Sequence, residues 1–214
     1  MEPDMDKLQQ MRRIQEQKIV AILRSEKSDQ LVRVAEALAE GGVTILEITF
    51  TVPGALRIIE KVADQLGDQV LLGAGTVLDA QTARSAMLAG ADFFVSPGTS
   101  IEVIQTCRRY DKCVFPGAFT PTEVLTAWEA GCDAVKLFPC DVLGAKHVKA
   151  LKGPLPQIPL IPTGGVNRET ARDFLAAGAL AVGVGSSLAP RAAIESGDYD
   201  TIVNSAKAFV SAVA

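Results

Sequence analysis

Eight short apolar runs, helical segments between them and glycines that close those segments predict an α/β chain folded as a (β/α)8 TIM barrel, preceded by an extra N-terminal helix. Residues 1–16 form that extra helix. The first four strands are expected over 18–24, 43–50, 70–75 and 92–96. The last four fall over 112–116, 134–138, 158–162 and 179–184. Each has the length of a buried strand, and most are rich in Val, Ile or Phe. Between them, segments such as 30–40 and 80–89 have helical spacing and end on glycine, as in Ala39-Glu-Gly-Gly42, Leu88-Ala-Gly90, Glu129-Ala-Gly131 and Ala176-Ala-Gly178. A glycine just past a helix adopts the left-handed conformation that ends it. The stretch Tyr199 to Val213 closes the chain as a last helix. An open doubly wound sheet would place a G-x-G-x-x-G after its first strand, where this chain has Arg24-Ser-Glu-Lys27. With 214 residues and no linker, one domain over 1–214 is expected.

Composition removes several functions. With 48% apolar and 21% charged residues the chain can bury a large core. A net charge of -4 offers no general attraction to nucleic acid or to an anionic membrane, and neither is expected as a partner. No apolar stretch approaches the roughly 20 residues that span a bilayer, and the polar stretch Met1 to Gln17 is not a secretory signal. Cys107, Cys113, Cys132 and Cys140 form no C-x-x-C pair, so four reduced, mostly buried thiols in a cytoplasmic protein are expected. His147 is the only histidine, which excludes a site built from several imidazoles; no metal and no cofactor are expected. On its helical stretch His147 is expected at the surface.

Strand parity then finds the chemistry. On the second strand Leu46, Ile48 and Phe50 share the greasier face, suited to the surrounding helices, which sends Ile45, Glu47 and Thr49 into the lumen. On the sixth, Val135 and Leu137 face outward and Lys136 and Phe138 inward. Interior charges are costly unless paired, hydrogen-bonded or functional. One reading is a structural ion pair. The other is a Schiff-base lysine with a carboxyl group that moves protons, in which case the two must be spaced by substrate or water, or Glu47 must be protonated for part of the cycle.

Pro162-Thr-Gly-Gly-Val166 and Gly183-Val-Gly-Ser-Ser187 follow the last two strands, where many barrels bind phosphate. Gly164, Gly165 and Gly185 let the backbone approach an anion, and Ser186 adds a hydroxyl; two tight turns are the plainer alternative. Thr76, in Gly73-Ala-Gly-Thr-Val77, points at the same mouth. Arg24, at the end of the first strand, suits a carboxylate with bidentate geometry, or a surface acid.

Leu46-Glu-Ile-Thr49, Gly73-Ala-Gly-Thr-Val77, Val95-Ser-Pro-Gly98, Val135-Lys-Leu-Phe-Pro139 and Pro162-Thr-Gly-Gly165, in that order, resemble the class I 2-keto-3-deoxy-6-phosphogluconate (KDPG) aldolase family, whose members often act as 4-hydroxy-2-oxoglutarate (KHG) aldolases. The resemblance runs from about Lys18 to the C-terminus. It implies a carbon–carbon lyase of carbohydrate metabolism, in the Entner–Doudoroff route, that takes a phosphorylated 2-keto acid and works as a homotrimer. It implies Lys136 as the Schiff-base residue, Glu47 as general acid/base and Thr76 on the pyruvate carboxylate. Pro97, Phe138 and Thr163 would wall the pocket, and Gly164, Gly165, Gly185 and Ser186 would line its phosphate end. The family's carboxylate-binding arginine corresponds to Thr51 here, which makes Arg24 its replacement. A galactonate-type aldolase, a metal-dependent epimerase or thiamine-phosphate-type synthase, and a non-catalytic scaffold are the alternatives.

Overall fold

A computed structural model describes residues 5–214. The first part of the expected N-terminal helix, residues 1–4, lies outside the described residues. Helix α1 (Lys7–Gln17) starts later than expected because Asp6 caps it, its carboxylate accepting from Gln9 N while the Gln9 side chain reaches back to Asp6 N. The chain continues as β1 (Ile19–Leu23), α2 (Leu31–Glu40), β2 (Ile45–Thr49), α3 (Ala55–Leu66), β3 (Leu71–Gly75) and α4 (Ala80–Leu88). Then come β4 (Phe93–Val95), α5 (Ile101–Arg109), β5 (Cys113–Phe115), β6 (Gly117–Ala118), α6 (Pro121–Glu129) and β7 (Val135–Leu137). Helix α7 (Gly144–Lys152), β8 (Leu160–Pro162), α8 (Arg168–Ala176), β9 (Val182–Val184), α9 (Arg191–Ser196) and α10 (Tyr199–Val213) complete it. The expected helix closures hold: Gly42, Gly90, Gly131 and Gly178 all have positive φ.

Every strand pairing is parallel, as strands separated by helices require. In place of one continuous sheet, hydrogen bonding defines a six-stranded sheet, β5-β4-β3-β2-β1-β9, and a three-stranded one, β6-β7-β8. The fifth strand, expected over 112–116, stops before Pro116, which has no N–H to donate, and a further two-residue strand, β6, follows it. Its carbonyl still accepts from Lys136 N at 2.9 Å. At the other edge an isolated parallel bridge joins Thr163 to Gly183. The result is an α/β fold of parallel strands and flanking helices.

The parity expected from sequence is borne out. Leu46, Ile48, Val135 and Leu137 belong to the large core cluster that includes buried faces of the helices. Val20, Ile45, Leu71, Phe93, Phe115 and Ile161 form a second, separate cluster among the strands. Ile14, fully buried on α1, joins this inner cluster, so the extra helix packs onto the strand interior. Lys7 at its start pairs with Asp133 at 2.9 Å and fixes that docking.

Candidate active site

Glu47 sits mid-strand on β2 and Lys136 mid-strand on β7, with only 2% and 7% of their surface exposed. Strand alternation dictates this burial: their neighbours on both sides face the helices, so the charged side chains must face in. Room for the carboxyl comes from β3. A Cβ on Gly75 would collide with the Glu47 carboxyl group, so the glycine's missing side chain is the space Glu47 occupies.

The two groups form no ion pair among the described residues, and Glu47 Oε1 is buried without a hydrogen-bond partner. Burial pushes the Glu47 carboxyl above the ordinary carboxylate range; the positive charges of Lys136 and Arg24 oppose the shift but do not cancel it. This combination disfavours a structural salt bridge, in which each charge would satisfy the other. Lys136 Nζ instead lies 5.2 Å from the centroid of the Phe138 ring, a cation–π contact.

Phe138 leads out to a cavity of about 610 Å³. Arg24 after β1, Thr163, Gly164 and Gly165 at the end of β8, and Gly185 with Ser186 after β9 also line it. Sequence positions some 160 residues apart thus meet at the C-terminal ends of the strands, where barrel-type sites form. Glu47 and Lys136 are buried and are not on the cavity wall, whereas Phe138, the ring that Lys136 contacts, is on it.

Thr76 and Pro97 are not on that wall either. Thr76, directly after β3, has φ 58°, a left-handed conformation that costs a β-branched residue about 1–2 kcal/mol. Strain of this kind persists where the surroundings enforce it, and clusters at functional sites. Pro97 is exposed, and its carbonyl packs where a side chain on Gly117 would be, which holds the β4 exit against β6.

Sequence reading missed several lining residues. Thr51, singled out in the sequence only as standing in for an arginine, is on the wall, its hydroxyl 2.7 Å from that of Thr49. Ser25, Glu26, Ser187 and Arg191 are there as well. The available signal for Arg191 was its place just past the Gly-Ser-Ser turn. His147 corrects an expectation: it is half-buried, its Nε2 donates to Phe119 O at 2.7 Å, and its ring packs on that of Phe119. The four cysteines are free and buried, as expected. Burial raises the thiols of Cys107, Cys113 and Cys132 to about 12 and that of Cys140 to about 11, which leaves them unreactive.

Gly75→Ala tests the packing of Glu47. The new methyl displaces a carboxyl that has flexible bonds but little room, so the fold loses about 1–3 kcal/mol. A displacement near 1 Å at a reacting group can cost on the order of 10²-fold in rate. Chemical denaturation together with steady-state turnover will show a still-folded protein, less stable by that amount, with a large loss of activity.

A family model described as "Aldolase: KDPG and KHG aldolase" matches residues 11–205. The chain is 34% identical over 191 residues to the 2-dehydro-3-deoxy-phosphogluconate aldolase of Haemophilus influenzae, covering 89% of this chain and 90% of that protein. It is 33% identical over 190 residues to the KHG/KDPG aldolase of Escherichia coli K12, covering 88% and 89%. It also superposes, with a TM-score of 0.87 and 27% identity over 93% of this chain and 97% of the other, on the KDPG aldolase of Legionella pneumophila, a structure with pyruvate captured at low pH as a covalent carbinolamine intermediate.

Proposed function

We propose that this chain, which belongs to the KDPG and KHG aldolase family, is a class I aldolase that cleaves 2-dehydro-3-deoxy-6-phosphogluconate to pyruvate and glyceraldehyde 3-phosphate, and also 4-hydroxy-2-oxoglutarate to pyruvate and glyoxylate. One observation carries the reading: among the described residues, a buried primary amine and a buried carboxyl whose Oε1 has no hydrogen-bond partner form no ion pair with each other. An enzyme needs both groups uncommitted; a structural role would commit them.

In this mechanism Lys136 Nζ adds to the C2 carbonyl, and loss of water gives the protonated imine. Glu47 takes the proton of the C4 hydroxyl as the C3–C4 bond breaks. The bonding pair moves into the imine, leaving an enamine, and the aldehyde departs. Glu47 returns the proton to C3, and water releases pyruvate from Lys136. A carboxyl raised above the ordinary range by burial suits a group that must hold and release a proton during turnover. Arg24, exposed on the cavity wall and electrostatically coupled to Glu47, is assigned to the substrate carboxylate in place of an arginine at Thr51, with Thr76 beside it. Phe138, Thr163 and Pro97 shape the pocket. Gly164 and Gly165, both with positive φ, open the backbone to the phosphate together with Gly185 and Ser186.

The same reading takes the chain as one domain whose two sheets close into a single (β/α)8 barrel. Its supports are the continuity of β5 and β6 across Pro116 and the Thr163–Gly183 bridge. It also takes the working form as a cytoplasmic homotrimer. Among the described residues no helix is long and apolar enough to cross a membrane, and Leu78, Leu88 and Val142 leave apolar surface that an assembly could cover.

Borohydride reduction in the presence of pyruvate, followed by peptide mass mapping, tests the central claim. The reduced pyruvyl adduct is expected on Lys136, undiminished by chelator. A folded protein that acquires no adduct, or acquires it on another lysine, overturns the reading.

A further inference from the structure

The assigned phosphate end of the cavity is made of neutral donors: the glycine backbones after β8 and β9, and Ser186 beside Ser187. A substrate with a carboxylate at one end and a phosphate at the other has two anions to match. Two cations line the cavity, Arg24 and Arg191. Arg24, directly after β1, is the cation already assigned to the substrate carboxylate. Arg191 follows the Gly185–Ser187 turn by four residues and projects from the start of α9.

The guanidinium of Arg191 is only partly engaged. Its Nε donates to Glu195 Oε1 at 2.6 Å, whereas Nη2 lies 3.8 Å from Glu26 Oε2, beyond hydrogen-bond length. The Arg191 side chain is 75% exposed, and exposed pairs of this kind hold side chains weakly. A phosphate carries more charge than one carboxylate and accepts two parallel N–H bonds from a guanidinium. It can therefore displace Glu26 from the Nη edge while Glu195 keeps the Nε edge oriented.

We propose that Arg191 is a specificity residue that binds the terminal phosphate of the phosphorylated substrate, with Glu26 as its competing anion. This rests on the aldolase reading above and adds a residue that the sequence did not reveal.

Inorganic phosphate is the direct probe. Titration calorimetry should show phosphate affinity falling about tenfold in Arg191→Met and recovering in part in Arg191→Lys. Glu26→Gln should bind phosphate more tightly than the wild type. In steady state, Arg191→Met should raise KM for the phosphorylated substrate about tenfold with little change in kcat, and lower its kcat/KM relative to that for 4-hydroxy-2-oxoglutarate by about the same factor. A merely structural Arg191 would change the melting temperature and leave this ratio alone. Equal phosphate affinity in folded wild type and Arg191→Met, including no binding by either, overturns the proposal. Pyruvate labelling of Lys136 in the same preparations separates the two claims. A labelled wild type with unchanged phosphate affinity in Arg191→Met rejects only the role of Arg191. An unlabelled wild type rejects the aldolase reading, and the titration still decides whether Arg191 binds phosphate.

Discussion

Lys136→Met will leave a folded protein with no measurable pyruvate formation, a loss on the order of 10⁴-fold or more, as expected when the group that forms the covalent intermediate is removed. Methionine matches the length of the lysine stem and places no charge in the interior. Among the described residues Lys136 makes no ion pair that the substitution would break, and Glu47, which loses the influence of its charge, takes up a proton more readily, so the fold is expected to survive the change. The contact with Phe138 survives as a thioether–aromatic contact. Pyruvate release measured with a coupled dehydrogenase, alongside circular dichroism and thermal melting, checks both parts. Turnover above about one hundredth of the wild-type rate in Lys136→Met would place the nucleophile elsewhere.

The legible part of this molecule was the part written in strict periods. Alternation on β2 and β7 assigned Glu47 and Lys136 to the interior because each is flanked by aliphatic residues that only the helix layer can accept. Glycine punctuation located the helix ends for a comparably rigid reason, since the reversal needs a left-handed residue. The break at Pro116 could have been read from its missing N–H, but the short pairing at Gly117–Ala118 beyond it has no apolar run to announce it. Loop residues were less legible. Glu26 reaches the cavity from a loop and Arg191 from the first residue of the short helix α9, and which way such side chains turn depends on tertiary neighbours. His147 was misjudged for a related reason: its helix spacing gave no hint that Phe119, from the loop after β6, would cover it. The strain at Thr76 has no sequence signature, because a threonine gives no sign of a positive φ.

Glu47→Gln will retain the borohydride-trapped pyruvyl adduct on Lys136 but lose roughly 10²- to 10⁴-fold in kcat, the range general acid–base catalysis supplies. Glutamine keeps the shape that Gly75 accommodates, so a loss of rate reports the proton and not the packing. The pH dependence carries a sign. Cleavage needs Glu47 deprotonated to accept the C4 proton, so wild-type activity rises with pH through the raised carboxyl pKa, and its acidic limb lies above the ordinary carboxylate range. That limb disappears in Glu47→Gln. Stability runs the other way. Because burial raises the folded-state pKa above the unfolded value, the native protein binds the extra proton between the two. The favourable contribution of Glu47 is complete below the unfolded pKa and is lost as pH rises through the folded one. Above it the native state carries an ionised, buried carboxylate whose Oε1 has no hydrogen-bond partner among the described residues. Urea unfolding of both proteins across this range should therefore find Glu47→Gln increasingly more stable than wild type as pH rises. Equal stabilities at every pH would mean that the carboxylate is solvated in the native state. Full activity in the variant would remove Glu47 from the reaction.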